Sequence, residues 1–163
     1  MMNHHKPNQI LQNFHFDDVI AIENAQSVSD IFDQMAERAS RMIGFSETLL
    51  KQRLNTQKNQ ESAAIGEGIA IPHLQVHGLR APITLLGRLE QPMAFDNMPD
   101  KRAVDLICLI LSPKRIGPMH LLRLSQITRM IKDKGVADLM RETSNSRVLL
   151  NVLNNPDGWV LAA

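Results

Sequence analysis

Apolar positions recur along residues 28–43 with the period of a helix. Val28, Ile31, Phe32, Met35, Ala36, Ala39 and Met42 fall on one face. Ser27 stands where an N-cap is needed, with Asp30 three residues on, and Gly44 closes the stretch. A helix from about Ser27 to Ile43 is expected. A second follows from the Ser46 cap through Leu49, Leu50 and Leu54. The run NTQKNQES, residues 55–62, has no apolar member to bury and reads as a surface loop.

The apolar runs then become short. GIAIP (68–72), PITLLGRLE (82–90) and AVDLICLILS (103–112) read as strands. Pro82 suits a strand start, and the near-continuous third run suits a central strand covered on both faces. QPMAFDNMPDKR is a turn-rich connection that contains Phe95. After Pro113 the helical period returns: Leu121, Leu124, Ile127, Thr128 and Ile131 mark a helix over 118–132. Shorter helices are expected at 135–142 and 145–154, with Pro156 and Gly158 ending the ordered part and 156–163 left as a C-terminal tail. Residues 1–15 are polar and without period, a flexible N-terminal extension whose His4 and His5 read as solvated. Strands interleaved with helices imply an α/β sandwich, and the step from strand to helix across 103–132 is where such sheets keep their sites.

Composition narrows the function. The 163 residues suffice for one domain with a sizeable core. A net charge of +1 sets up no field for nucleic acid or anionic lipid, and five Phe, one Trp and no Tyr supply no base-stacking platform. A single cysteine, Cys108, rules out an intrachain disulfide, and its place in DLICLILS reads as a buried thiol. No apolar run approaches the ~20 residues of a membrane span, and no signal-peptide pattern opens the chain, so a soluble cytoplasmic protein is expected. The methionines read as core filling, Met35 and Met42 among them.

Two histidines stand out by position. His73 follows directly on GIAIP, so its ring is expected to emerge at the strand's end, with Pro72 fixing the backbone before it. Gly66 and Gly68 allow another chain or an anion to approach the backbone closely. His120 opens the helix after LSPKRIGPM, where unpaired N–H groups favour an anion. Together they suit one phosphoryl group: a neutral imidazole is a good nucleophile near pH 7, and positioning with charge stabilisation does most of the catalysis. The residues alone leave a second reading open, in which each histidine is partly buried and structural. His77 lies four residues past His73, but Pro72 and Gly78 oppose a helix there and no third ligand is near, so neither a metal nor another cofactor is expected. Lys114, Arg115, Arg123 and Arg129 flank His120. They suit phosphate, but a solvated charged face is the commoner role.

These residues resemble a known family. GEGIAIPH is similar to the phosphorylation motif of the IIA proteins of the bacterial phosphoenolpyruvate-dependent phosphotransferase system, fructose/mannitol class, to which the nitrogen-regulatory IIA proteins belong. LEQPMAFDNMPDKRAVDLICLILSP (89–113) resembles the family's Pro-x-x-Phe and central strand, and HLLRLSQITRMIKD (120–133) its histidine-headed helix. The resemblance covers residues 16–155 and implies a mixed β-sheet flanked by helices on both faces. It implies that His73 is phosphorylated by the phosphocarrier HPr or its nitrogen-branch counterpart, and that His120 helps hold the phosphoryl group. The next acceptor would be a IIB cysteine in sugar transport; in the nitrogen branch the phosphorylation state regulates other proteins.

One position departs from the pattern. The family carries an arginine sixteen residues before the phosphorylated histidine, and the ungapped count lands on Gln57, which lacks the charge and the bidentate fork. Arg53 or Lys58 would substitute only if the loop were shifted. The leading expectation is a regulatory phosphocarrier. A sugar-specific IIA is the near alternative, and a binding module without phosphotransfer, supported by Gln57, is the alternative of another class.

Overall fold

The computed structural model describes residues 14–155. The extension expected over 1–15, apart from its last two residues, and the tail 156–163 lie outside the described residues, as do His4, His5, Pro156 and Gly158.

The strands are β1 (Asp18–Ile22), β2 (Ala64–Gly66), β3 (Ile69–Ala70), β4 (His73–Val76), β5 (Ile83–Met93) and β6 (Val104–Pro113). The helices are α1 (Val28–Ile43), α2 (Glu47–Leu54), α3 (Gln57–Ser62), α4 (Met119–Lys132), α5 (Lys134–Glu142) and α6 (Ser146–Asn154). They form one six-stranded sheet in the order β1-β5-β6-β3-β2, with β4 also paired to β6. The pairing is mixed: β1 runs parallel to β5, β3 and β4 run parallel to β6, and β5 and β6 are antiparallel.

β6 is the central strand, and its alternation divides the core in two. Ile107, Leu109 and Leu111 face α1 and α2, packing with Ile31, Phe32, Met35, Leu50 and Leu54. Leu106, Cys108 and Ile110 face the other side, against Ile127, Met130 and Ile131 of α4, Val136 and Met140 of α5, and Leu149 and Leu153 of α6. Strand and helix periods thus bury both sheet faces, the arrangement expected of the α/β sandwich. Where β5 passes under α1, Gly87 is required: a Cβ there would lie 2.7 Å from Ile22 Cδ1 and 2.8 Å from Met35 Sδ.

Several expectations are corrected. The run 55–62 is not a loop from end to end. Thr56 caps a short, wholly polar helix, because Gln, Lys and Glu favour helix even where no apolar stripe announces it. β1 is not among the expected strands; its five residues pair with a strand far along the chain. GIAIP is not one strand either. A turn with Glu67 at φ 58° and Gly68 at φ 77° joins β2 to β3, and the two-residue loop explains the hairpin. Pro72 then interrupts the ladder, so His73 starts a new strand instead of hanging from the end of an old one. At Gly68 a Cβ would meet Asp105 Oδ1 at 2.9 Å and Arg141 Nη2 at 3.0 Å, so the space is filled by the chain's own ion pair, not by an external anion. Met42 is exposed, while Met35 is fully buried.

Candidate active site

His73 enters the site through strand register. It pairs with Ile110 of β6, and Ile110 pairs on its other side with Thr84 of β5. Residues in register share a face, so Thr84, Ile110 and His73 form a row on the side covered by α4. After β6 the chain makes a short 3-10 turn, Lys114–Ile116, and enters α4. Gly117 fixes this corner: its carbonyl accepts from the His120 backbone N–H at 3.1 Å and from Gln75 Nε2 at 3.3 Å. That places His120 in the first turn of α4, directly over β4.

The two imidazoles meet. His73 Nδ1 is hydrogen-bonded to His120 Nε2 at 3.1 Å, with ring centroids 5.1 Å apart. One nitrogen must donate and the other accept, so the pair cannot be doubly protonated and keep this bond. Both rings are held below the ordinary imidazole range. Burial is the larger cause for each; the neighbouring His120 adds to it for His73, and Arg123 adds to it for His120.

His120 is only 6% exposed, yet Met119, Leu121 and Leu122 around it are 57%, 68% and 49% exposed. The ring therefore points into the protein, within an exposed apolar collar. Beneath it, Arg123 Nη2 donates to the Thr84 hydroxyl, and Thr84 exchanges two 2.8 Å bonds with Asp17. His120 Nδ1, Arg123 Nε and Ser112 Oγ are buried and make no hydrogen bond. The Cys108 thiol is fully buried and pushed up to about 12 by desolvation, which leaves it inert, as its sequence context suggests.

Residues 13–155 match the family model described as phosphoenolpyruvate-dependent sugar phosphotransferase system, EIIA 2. The chain belongs to this family. Phosphoryl transfer is accordingly its general chemistry. It is 30% identical over 130 residues to a nitrogen regulatory protein of Bradyrhizobium diazoefficiens, covering 80% of this chain and 84% of the relative. Among solved structures, nitrogen regulatory protein IIA-Ntr from Neisseria meningitidis superposes with a TM-score of 0.73 at 22% identity, covering 83% of this chain and 92% of its own. The mannitol-specific cryptic phosphotransferase enzyme IIA of Escherichia coli gives 0.65 at 15% identity, covering 85% and 92%. These two likenesses establish the fold.

In this EIIA 2 domain, Gln57 opens α3, exposed, with its side-chain amide donating to Glu61 Oε1 at 2.8 Å. It makes no hydrogen bond to either histidine, and Arg53 and Lys58 are likewise exposed. Arg115 turns away to the Arg80 carbonyl. Among the described residues no group of three His, Cys, Asp or Glu could hold a metal ion, and no helix is long and apolar enough to cross a membrane. Arg123 corrects the expectation of a solvated charged face: it is half-buried. Its spacing of three from His120 was the available signal, but the Thr84 anchor comes from a strand 39 residues away in sequence.

Proposed function

We propose that the protein is a phosphocarrier whose unit, residues 16–155, accepts a phosphoryl group on His73 from HPr or a paralogue and acts mainly in nitrogen-branch regulation. The observation that carries this is the 3.1 Å bond between His73 Nδ1 and His120 Nε2. It occupies one nitrogen of His73 and leaves Nε2 as the nucleophile. For Nε2 to offer a lone pair, the His73 proton must sit on Nδ1 and donate to His120 Nε2.

The Nε2 lone pair then attacks phosphorus in line. The donor's P–N bond breaks with its electrons returning to the donor imidazole, and the His73 ring becomes cationic, its Nδ1–H still held by His120. His120 thus orients the nucleophile and accepts the hydrogen bond of the cationic ring. The phosphorylation state then regulates other proteins in the cytoplasm, and the nitrogen regulatory names of the relatives support that role. The mannitol-specific neighbour keeps a sugar-specific IIA, passing phosphate to a IIB cysteine, as the alternative.

The test is transfer from phosphoenolpyruvate through enzyme I and HPr of the same organism. Wild type is expected to take acid-labile label, His73→Ala none, and His120→Ala a reduced rate. One observation favours a second reading: Gln57, at the position of the family's arginine, is bonded to Glu61 and not to the site. A folded wild type that takes no label from an active donor would favour the binding module, whose partner binding is unchanged by His73→Ala.

A further inference from the structure

Arg123 is a cation turned inward, one helical turn after His120 on the same side of α4. Its Nη2 donates to Thr84 Oγ1, and Thr84 lies in the row that runs through Ile110 to His73. Thr84 is itself fixed, its N–H donating to Asp17 Oδ2 and its carbonyl accepting from Asp17 N–H, both at 2.8 Å. The Nε–H is buried without a partner, as is His120 Nδ1. A surface arginine needs no such anchorage, and burying a guanidinium is costly.

We propose that Arg123 is a positioning residue for the proton between the two histidines: its guanidinium keeps positive charge off His120 and so leaves that proton on His73. This rests on the phosphocarrier reading. Once His73 Nε2 is bonded to phosphorus, the proton on the 3.1 Å line has two places to sit. On His73 Nδ1, the phosphorylated ring is cationic. An acceptor that attacks phosphorus then sends the P–N electron pair back to Nε2 and releases a neutral imidazole. On His120 Nε2, the phosphorylated ring is neutral, and its departure would require an imidazolate, a far poorer leaving group. A cation one helical turn from His120, anchored two strands away from His73, disfavours the second arrangement.

The surroundings agree. Arg123 bears on the charge of His120, whereas the charge acting on His73 is that of His120. Among the described residues, the titratable groups acting on Arg123 are Cys108 of β6 and Asp17 ahead of β1. The thiol is neutral at physiological pH, and Asp17 bonds the Thr84 N–H, not the guanidinium. With Gln57 uncharged and bonded to Glu61, the charge that sets the reactivity of the site comes from beneath His120 instead of from α3.

The test compares wild type, Arg123→Gln, Arg123→Lys and Thr84→Val with two readouts. In the unphosphorylated proteins, NMR titration of the His120 ring is expected to move to higher pH in Arg123→Gln and to stay near wild type in Arg123→Lys. In proteins labelled with radioactive phosphate, Arg123→Gln is expected to hold its label several-fold longer near neutral pH, with Arg123→Lys restoring the wild-type lifetime. Thr84→Val, which keeps the charge but frees it, should fall between, and it carries the test if Arg123→Gln does not fold. Superimposable titrations, or label lifetimes indifferent to Arg123, would overturn the proposal. Wild type that takes no label would sink the phosphocarrier reading separately, and the ring titration would then decide alone whether Arg123 governs the pair.

Discussion

Two imidazoles joined at 3.1 Å inside a protein titrate as a pair, and the folded state resists their protonation. Both are held below the reference value of 6.5, chiefly by burial. The sign follows. As the pH falls below about 6.5, the unfolded chain takes up protons that the folded pair refuses, so stability falls. Urea midpoints are expected to drop between pH 7.5 and 5.5, and the double variant His73→Gln/His120→Gln should flatten that slope. A second outcome concerns Gln57. Restoring arginine alone would place it four residues before Glu61, in reach of an exposed ion pair. Gln57→Arg is expected to speed phosphotransfer little, and Gln57→Arg with Glu61→Gln to speed it several-fold, as measured by initial labelling rates. Equal rates would show that α3 does not reach the phosphoryl group. His73 and His120 were legible from sequence because a turn, a proline and a helix start framed them. Arg123 was not, because its meaning comes from Thr84, and register between distant strands leaves no local mark.

At the scale of elements, legibility followed the strength of the period. α1 was read with its caps: Ser27 accepts from the Asp30 N–H, and Gly44 closes the helix in the left-handed region at φ 67°. Asp133 and Asn145 cap α5 and α6 close to the expected starts. β1, the β2–β3 hairpin and α3 escaped, since elements of two to six residues hold no more than three repeats even of the two-residue strand pattern, too few to stand out. The crossing of α1 over β5 gives the element-scale prediction. Gly87→Ala puts a methyl against Ile22 and Met35, both buried, and is expected to cost about 1–3 kcal/mol by denaturant titration. The companion change Met35→Ala should recover part of that loss by removing the struck sulfur, although it is destabilising on its own.

On the scale of the whole molecule, the two ends of the described fold are stitched together. Asn154, in the last turn of α6, accepts from the Phe16 N–H through Oδ1 and donates to the Phe16 carbonyl through Nδ2, both at 2.8 Å. Phe16 is 1% exposed, so its ring is buried beside that clasp. Asn154→Ala removes both bonds and leaves two backbone groups partly unsatisfied. A loss of about 1–3 kcal/mol is expected in the same denaturant assay. Asn154→Asp keeps the acceptor but loses the donor, and should recover only part of it.

That clasp also makes the fold portable. A unit whose first and last secondary elements meet at one point can be spliced into a longer polypeptide without prising its neighbours apart, much as a bead is threaded through a single hole. The imidazoles sit on β4 and α4, while Asp17, next to the clasp, holds the Thr84 that anchors Arg123. The point of attachment lies one residue from the bonds that anchor Arg123, so a splice there leaves the histidine pair undisturbed only while Asp17 keeps its place.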